Sequence, residues 1–404
     1  MKRLFYFIAV MALFPLIGKA QTKANLAEGY YRVQNKTNNR YMALLDNKGH
    51  AKRNGSTIDA DLYAIRSLND TNNIYSNPAT IVHIKKGSSG YVCSAQGTST
   101  KDITNYEFDI YNRTSGSTIQ VSVTGATAIL TEFDYKTKTT IVNGYSVPGK
   151  TLPDSGLVNQ SGTGTSNRIY WTIKKVDNST NYVGFTPTLS VGGKYYDTFY
   201  AEFPFTVTSS GVKVYSVYTI YNGKAVLKPF ETGETVPGGT PVLVECSAKD
   251  AKSNMITPVL GTYSALSQNQ LKGVYFNYYC DKESNKIHNN RTAYDGNTMR
   301  VLSVVNGKLA FVKSSTLKYL PANKAYLSVT NGTADQVETM TYEEYSKASK
   351  ADLTGDNKVD LQDVLSLLEK INGTSSESKN FDVNSDGKVD LQDIFYLIEV
   401  INNK

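Results

Sequence analysis

The hexapeptide KVDLQD occurs twice near the C-terminus, at Lys358–Asp363 and again at Lys388–Asp393. In context the second copy reads DVNSDGKVDLQD, Asp382–Asp393, and the first reads DLTGDNKVDLQD, Asp352–Asp363. In the second, oxygen-bearing side chains fall at loop positions 1, 3, 5, 9 and 12: Asp382, Asn384, Asp386, Asp390 and Asp393. Gly387 stands at position 6. This spacing builds a calcium cage, because a hard cation takes several oxygens from one flexible loop. The carbonyl of position 7, here Lys388, is one of them, and glycine permits the sharp turn at position 6. The first copy repeats the carboxylates as Asp352, Asp356, Asp360 and Asp363, with Lys358 at position 7. It departs twice. Thr354 brings a hydroxyl to position 3, and Asn357 replaces the glycine, a residue that visits the left-handed region more readily than most. The expectation is two Ca2+ sites, the second the tighter.

A helix pattern follows each loop. Val364, Leu367, Leu368 and Ile371 fall at i, i+3, i+4 and i+7, and Ile394, Leu397, Ile398 and Ile401 repeat them one for one. Neither YSKASKA before the first loop nor SSESKNF before the second carries a helix pattern. An EF-hand has a helix on both sides and usually Glu at position 12; here only the exiting helix is expected, and Asp sits at position 12.

That combination resembles the type I dockerin, two loop–helix calcium motifs in tandem closing a secreted chain, over Asp352–Asn402. The resemblance implies docking to a cohesin-like module through loop positions 10 and 11 and the helix that follows. Those positions are Leu361-Gln362 and Leu391-Gln392, where the family often has Ser or Thr. It also implies a near-symmetric face able to dock in either of two orientations. Phe395 and Tyr396 are candidate further anchors, with Phe395 equally suited to the core. The alternative is a calcium-stabilised structural cap with no partner. The domain, 351–404, contains no cysteine, and at this size a metal often supplements the core. Calcium binding is therefore expected to be coupled to folding.

Working outward, Thr341–Lys350 (TYEEYSKASK) lacks an apolar stripe and reads as a linker over 341–350 with room for one helical turn. Upstream the chain is almost wholly β, with runs of Tyr, Thr, Val and Ile separated by Gly, Asn, Asp and Ser. The fold class is mainly β and multidomain: a β-trefoil-like module (21–176), a β-sandwich-like module (177–340) and the small α-helical calcium-loop domain. In the first module EGYYRVQNKTNNRYMAL (Glu28–Leu44), IVHIKKGSSGYVCSA (Ile81–Ala95) and FDIYNRTSGSTIQVSV (Phe108–Val123) are strand–turn–strand units, and IYWTIKKV (Ile169–Val176) closes the run. Three such units with a closing Trp strand resemble the ricin-type β-trefoil lectins. The Gln-x-Trp of that family is missing: the single Trp is Trp171 and residue 169 is Ile, so its sugar-binding residues are not carried over. In the second module GKAVLKPFETGETVPGGTPVLVE (Gly223–Glu245) aligns without gaps on GKLAFVKSSTLKYLPANKAYLSV (Gly307–Val329). Asn222-Gly223 matches Asn306-Gly307, and Asn-Gly supplies the positive φ angles of a tight hairpin.

At the other end Lys2 and Arg3, the apolar run Leu4–Ile17 and Gly18-Lys19-Ala20 read as a secretory signal, 1–20. The run is too short for a hydrocarbon core that needs ~20 residues. The expectation is a secreted, extracellular or cell-surface protein that does not span the membrane. Three cysteines, Cys93, Cys246 and Cys280, exclude a disulfide framework; pairing of Cys246 with Cys280 stays open. Residues from Ala348 onward carry a net charge of −5 in a chain of +7 overall. The basic remainder has no Lys/Arg cluster of the kind that tracks phosphates, so nucleic acid is not expected as a partner. It reads as solubility or, more sharply, as attraction to acidic polymers. The 29 tyrosines suit half-buried strands, with sugar stacking the sharper reading of a few.

Candidate carboxylates Glu107, Asp109, Glu132, Asp134 and Glu202 form no recognisable acid–base pair, and His50, His83 and His288 show no metal spacing. Cys280 and His288 lack the context of a nucleophile pair. Two readings follow. One is a non-catalytic glycan- or surface-binding protein docked to a cohesin-like partner and associated with polysaccharide breakdown. The other is a hydrolase of O-glycosyl bonds with an unrecognised β-fold active site. The lack of a carboxylate motif and the single Trp favour the first.

Overall fold

The computed structural model describes residues 23–35, 74–87 and 171–274, separate strands between 41 and 161, the strands 277–280 and 287–290, and 292–402 apart from 357 and 375–379. The expected secretory signal, His50, Glu107 and Asp134 lie outside the described residues, as do the side chains of Cys93, Asp109, Glu132, Cys280 and His288.

The N-terminal strands close on themselves. Gly29–Asn35 pairs antiparallel with Trp171–Lys175 along one edge and with Val82–Lys86 at the start of the other. The ladder then runs through Tyr91–Ala95, Phe108–Asn112 and Ile119–Val123 back to Trp171–Lys175, a ring of six strands. A second row, Tyr41–Leu44, Ile65–Leu68, Ser155–Ser161 and Ala128–Phe133, branches from Gln34 and rejoins the ring at Ile129 opposite Ser122. The three equivalent capping hairpins of a β-trefoil are not shown by these strands. Trp171 is fully buried, so the one indole of the chain is core and offers no platform to a sugar.

The region 177–340 is built on one long curled sheet of ten strands, over which a four-stranded sheet packs. The two copies of the internal repeat lie in the two halves of the long sheet, separated by one strand. Each opens on the second strand of a hairpin, Lys224–Pro229 after Val212–Tyr221 and Lys308–Val312 after Met299–Val305. Both turn through Asn-Gly at positive φ: 49° and 70° at Asn222-Gly223, 51° and 74° at Asn306-Gly307. A strand from outside the repeat, Gln336–Thr341, joins them, parallel to the first hairpin and antiparallel to the second. The two-residue side-chain period then splits the core. Val242, Val244 and Cys246 enter a cluster with Phe199, Phe203 and Phe205, while Leu243 between them enters another with Val217, Leu271, Phe311 and Leu327. The sheet curls until Lys194–Phe199 meets Ala325–Ser328. There Thr198 Oγ1 accepts from Ala325 N–H at 3.0 Å and donates to the Ala325 carbonyl at 3.1 Å. Cys246 is a free thiol that burial pushes up to about 12, well away from reactive thiolate chemistry.

The two β regions share an interface. Tyr30 joins the cluster of Phe203, at 5.7 Å between rings, and donates to the Val259 carbonyl. Buried Arg32 donates to Asn181 Oδ1 (2.8 Å), the Tyr182 carbonyl (2.9 Å), the Ile74 carbonyl (2.9 Å) and Thr80 Oγ1 (3.2 Å).

The stretch expected as a linker is a helix, α1, Tyr342–Ala351. Thr341 Oγ1 accepts from Glu344 N–H at 3.1 Å, and Glu344 Oε2 accepts from Thr341 N–H at 2.7 Å, a closed capping box. Its apolar surface is aromatic and small rather than aliphatic. Tyr342 and Tyr345 pack on Tyr218 and Tyr221 of the long sheet, and Ala348 and Ala351 face the C-terminal core. Two further helices follow, α2, Leu361–Ile371, and α3, Leu391–Asn402. Their inner faces form one core of Val364, Leu367, Ile394 and Leu397 with Ala351 of α1, Leu353, Val359 and Val383 of the loops, and Phe381 just before the second loop.

Candidate metal centre

Each acidic loop is folded around its last carboxylate. Asp363 and Asp393, at loop position 12, are fully buried. Asp393 Oδ1 accepts from Val383 N–H (2.9 Å) and Asn384 N–H (3.1 Å), and Oδ2 accepts from Asp390 N–H (2.9 Å). Asp363 repeats this: Oδ1 accepts from Thr354 N–H (2.9 Å) and Thr354 Oγ1 (3.1 Å), and Oδ2 from Asp360 N–H (2.8 Å). Thr354 therefore turns its hydroxyl onto the position-12 carboxylate. Its counterpart Asn384 instead offers Oδ1 to Asp386 N–H at 2.9 Å.

Position 9 starts each exiting helix. Asp360 Oδ1 accepts from Gln362 N–H and Asp390 Oδ1 from Gln392 N–H, both at 2.8 Å. A carboxylate at a helix N-terminus satisfies orphan N–H groups and complements the helix dipole. Position 1 braces the turn. Asp352 Oδ1 accepts from Gly355 N–H at 2.8 Å, and Asp382 accepts from Asp386 and Gly387 N–H at 3.0 and 2.9 Å. Asp356 and Asp386, at position 5, accept from Lys358 and Lys388 N–H at 2.8 and 2.9 Å. Both lysine residues are exposed.

Gly387 has φ 89°, as position 6 requires. Position 4 is also left-handed, at Gly355 (φ 77°) and at Ser385 (φ 62°). The spacing of the oxygen donors does not announce this turn. The Gly at 355 was its one available signal, and Ser385 gave none. Asn357 lies outside the described residues.

The donor set is all oxygen, hard and anionic, and two of its carboxylates are held in the protein interior. Among the described residues no cationic side chain pairs with either. No three Asp, Glu, His or Cys side chains converge on one point among the described residues. By donor chemistry and by the buried charge, the residues fit calcium.

The first loop is preceded by α1, contrary to the expectation that no helix enters it. Asp352 is both the C-cap of α1 and loop position 1. Tyr221, beneath that junction, has its phenol pushed up to about 12 by burial and by the nearby Asp352 and Asp363 carboxylates.

The outward faces of α2 and α3 carry a repeated apolar ridge. Leu361 and Leu391, at position 10, are 69% and 60% exposed, and Leu365 and Phe395, four residues on, are 56% and 66% exposed. Gln362 and Gln392 are exposed beside them. Phe395 is thus surface and not core, whereas Tyr396 packs against the core. Ile398, expected inside, is 40% exposed and extends the ridge.

Of the catalytic candidates, Glu202 is buried rather than a surface charge, with Tyr200 Oη donating to its Oε1 at 2.6 Å. His83 is buried against Tyr30, with Nε2 3.0 Å from Glu28 Oε1.

Residues 350–402 match the family model of the dockerin type I domain. They contain the end of α1, both loops, α2 and α3. No curated protein matches the chain. Among the described residues no helix is long and apolar enough to cross a membrane.

Proposed function

We propose that this is a secreted, non-catalytic binding protein; the match of residues 350–402 to the dockerin type I domain, a calcium-dependent module that docks to cohesins, supports the reading. The β regions hold a glycan or a surface, and the dockerin couples them to a cohesin-like module in an assembly that breaks down polysaccharide. Calcium occupies two sites. Asp352, Thr354, Asp356, Asp360, Asp363 and the Lys358 carbonyl hold the first; Asp382, Asn384, Asp386, Asp390, Asp393 and the Lys388 carbonyl hold the second.

The exposed ridge carries this reading. Leu361, Leu365, Leu391, Phe395 and Ile398 face solvent while their helix neighbours Val364, Leu367, Ile394 and Leu397 form the core. A row of large apolar side chains repeated on two helices marks an interaction face. A structural cap has no use for it. Because the two halves are alike, either can lead. Leu391→Asp alone is expected to weaken cohesin binding only a few-fold, whereas Leu361→Asp with Leu391→Asp removes a hot spot in both orientations, about 30-fold or more. Calorimetry against a cohesin module, with and without chelator, tests this. Full affinity in the double variant, or in chelator, would overturn it.

Burial of Trp171 and the locking of Glu202 by Tyr200 support binding over hydrolysis. A glycan array run beside reducing-sugar assays separates the two. Turnover abolished by one Asp or Glu substitution would establish the hydrolase.

A further inference from the structure

Helix α1 belongs to two cores at once. On one side lies the long sheet. Tyr342 and Tyr345 stand 5.3 and 5.7 Å from Tyr218, and Tyr345 stands 5.3 Å from Tyr221, ring to ring. Lys228 Nζ lies 5.3 Å over the Tyr218 ring and 5.1 Å over that of Tyr342, which adds a cation–π clamp. On the other side lies the dockerin. Ala351 is fully buried in its core, and Ala348 packs against the same cluster. Tyr221 Oη reaches the Ala348 carbonyl at 3.5 Å, across the boundary. From the last turn of α1, Lys350 Nζ donates to Ser385 Oγ of the second loop at 3.2 Å. No residue separates α1 from the first loop, so the helix axis fixes where Asp352 stands.

We propose that the tyrosine cluster Tyr218, Tyr221, Tyr342 and Tyr345 positions the first calcium loop, so that its affinity for calcium is set in part by the β-sheet. This rests on the calcium reading above. The first loop has the poorer donors, a hydroxyl at position 3 and Asn at position 6. Holding its entering helix in place lowers the ordering cost of binding. Linkage makes the effect reciprocal: calcium tightens α1 on the sheet by the same factor by which the sheet tightens calcium. Tyr345 is the natural test position because its ring meets three others, Tyr342 at 5.8 Å being the third.

The experiment is calcium calorimetry on the full chain and on its Tyr345→Ala, Tyr345→Phe and Tyr319→Ala variants, with hydrogen exchange of the α1 amides of the unmutated chain in calcium and in chelator. One of the two sites is expected to weaken about tenfold in Tyr345→Ala, within the range of ordinary coupling energies. The other site is expected to hold, Tyr345→Phe to restore the ring contacts and the affinity, and Tyr319→Ala, at an exposed tyrosine outside the cluster, to change neither site. The α1 amides should lose protection in chelator. Two unchanged sites in a Tyr345→Ala chain with native near-ultraviolet circular dichroism would overturn the proposal. So would α1 protection indifferent to calcium, a readout that needs no variant. A chain that binds no calcium at all defeats the calcium reading itself, a result distinct from either.

Discussion

The first hand begins with a helix pinned to a β-sheet; the described residues just before the second, Asn380 and Phe381, are not helical, although both hands end in the same KVDLQD. Inside the loops the order of quality is reversed. The second has Asn384 and Gly387 where the first has Thr354 and Asn357. On the coupling proposed above, one hand draws on its surroundings and the other on its own donors. Near-identical sequence therefore does not make equivalent sites, because what precedes a loop limits how freely it can close on an ion.

Removing calcium gives the largest contrast. Helices α2 and α3 have 11 and 12 residues, at or below the ~12–15 at which an isolated helix becomes even marginal in water. Their core is small and their loops carry concentrated negative charge. Chelator is expected to abolish their far-ultraviolet helical signal while the β regions keep their near-ultraviolet spectrum. Retained helicity with no bound ion would show that the hands fold without metal.

Ligand removal sharpens the comparison next. Asp393→Ala and Asp363→Ala each take away a buried carboxylate. Each should weaken its own site by more than the ~10–100-fold typical of an outer-shell partner. Asp382→Ala and Asp352→Ala then rank the sites by two-site calorimetry. The second loop is expected to be the tighter, and a stronger first loop would reverse the ordering drawn from its donors.

Position 4 offers a smaller effect of opposite sign in the two hands. Ser385 sits at φ 62°, where a side chain is strained, so Ser385→Gly should stabilise the calcium-bound domain by about 0.5 kcal/mol. Gly355→Ala, at φ 77°, should cost about 1 kcal/mol. Denaturant titration in saturating calcium reads both. The smallest effect lies outside the hands and asks whether acid acts on them alone. Burial holds His83 below its ordinary 6.5, against the opposing pull of Glu28. Its neutral form is the one favoured by folding. That contribution is complete above the unfolded value and is lost as pH falls through the depressed folded one. The N-terminal region should therefore soften on mild acidification in wild type but not in His83→Gln. Identical acid profiles would exclude the histidine.

The sequence alone determined the chemistry of the C-terminal domain: oxygen donors at fixed loop offsets, the glycine turn at 387, and the apolar stripes that, Ile398 apart, became the inner faces of α2 and α3. It also determined the Asn-Gly hairpins, whose positive φ is a local property of two residues. These features depend on neighbours a few positions apart, and that is the range over which periodicity and turn chemistry speak. Tertiary structure decided the rest. TYEEYSKASK showed no aliphatic stripe, and only the tyrosines of a distant sheet reveal that its own tyrosines and alanines are an apolar face. Phe395 is exposed and Glu202 buried, which nothing in their immediate neighbours specifies. The two copies of the repeat flank Gln336–Thr341, a strand from outside both that pairs with each. Burial and strand partnership are made by residues tens to more than a hundred positions apart, and no local pattern carries that information.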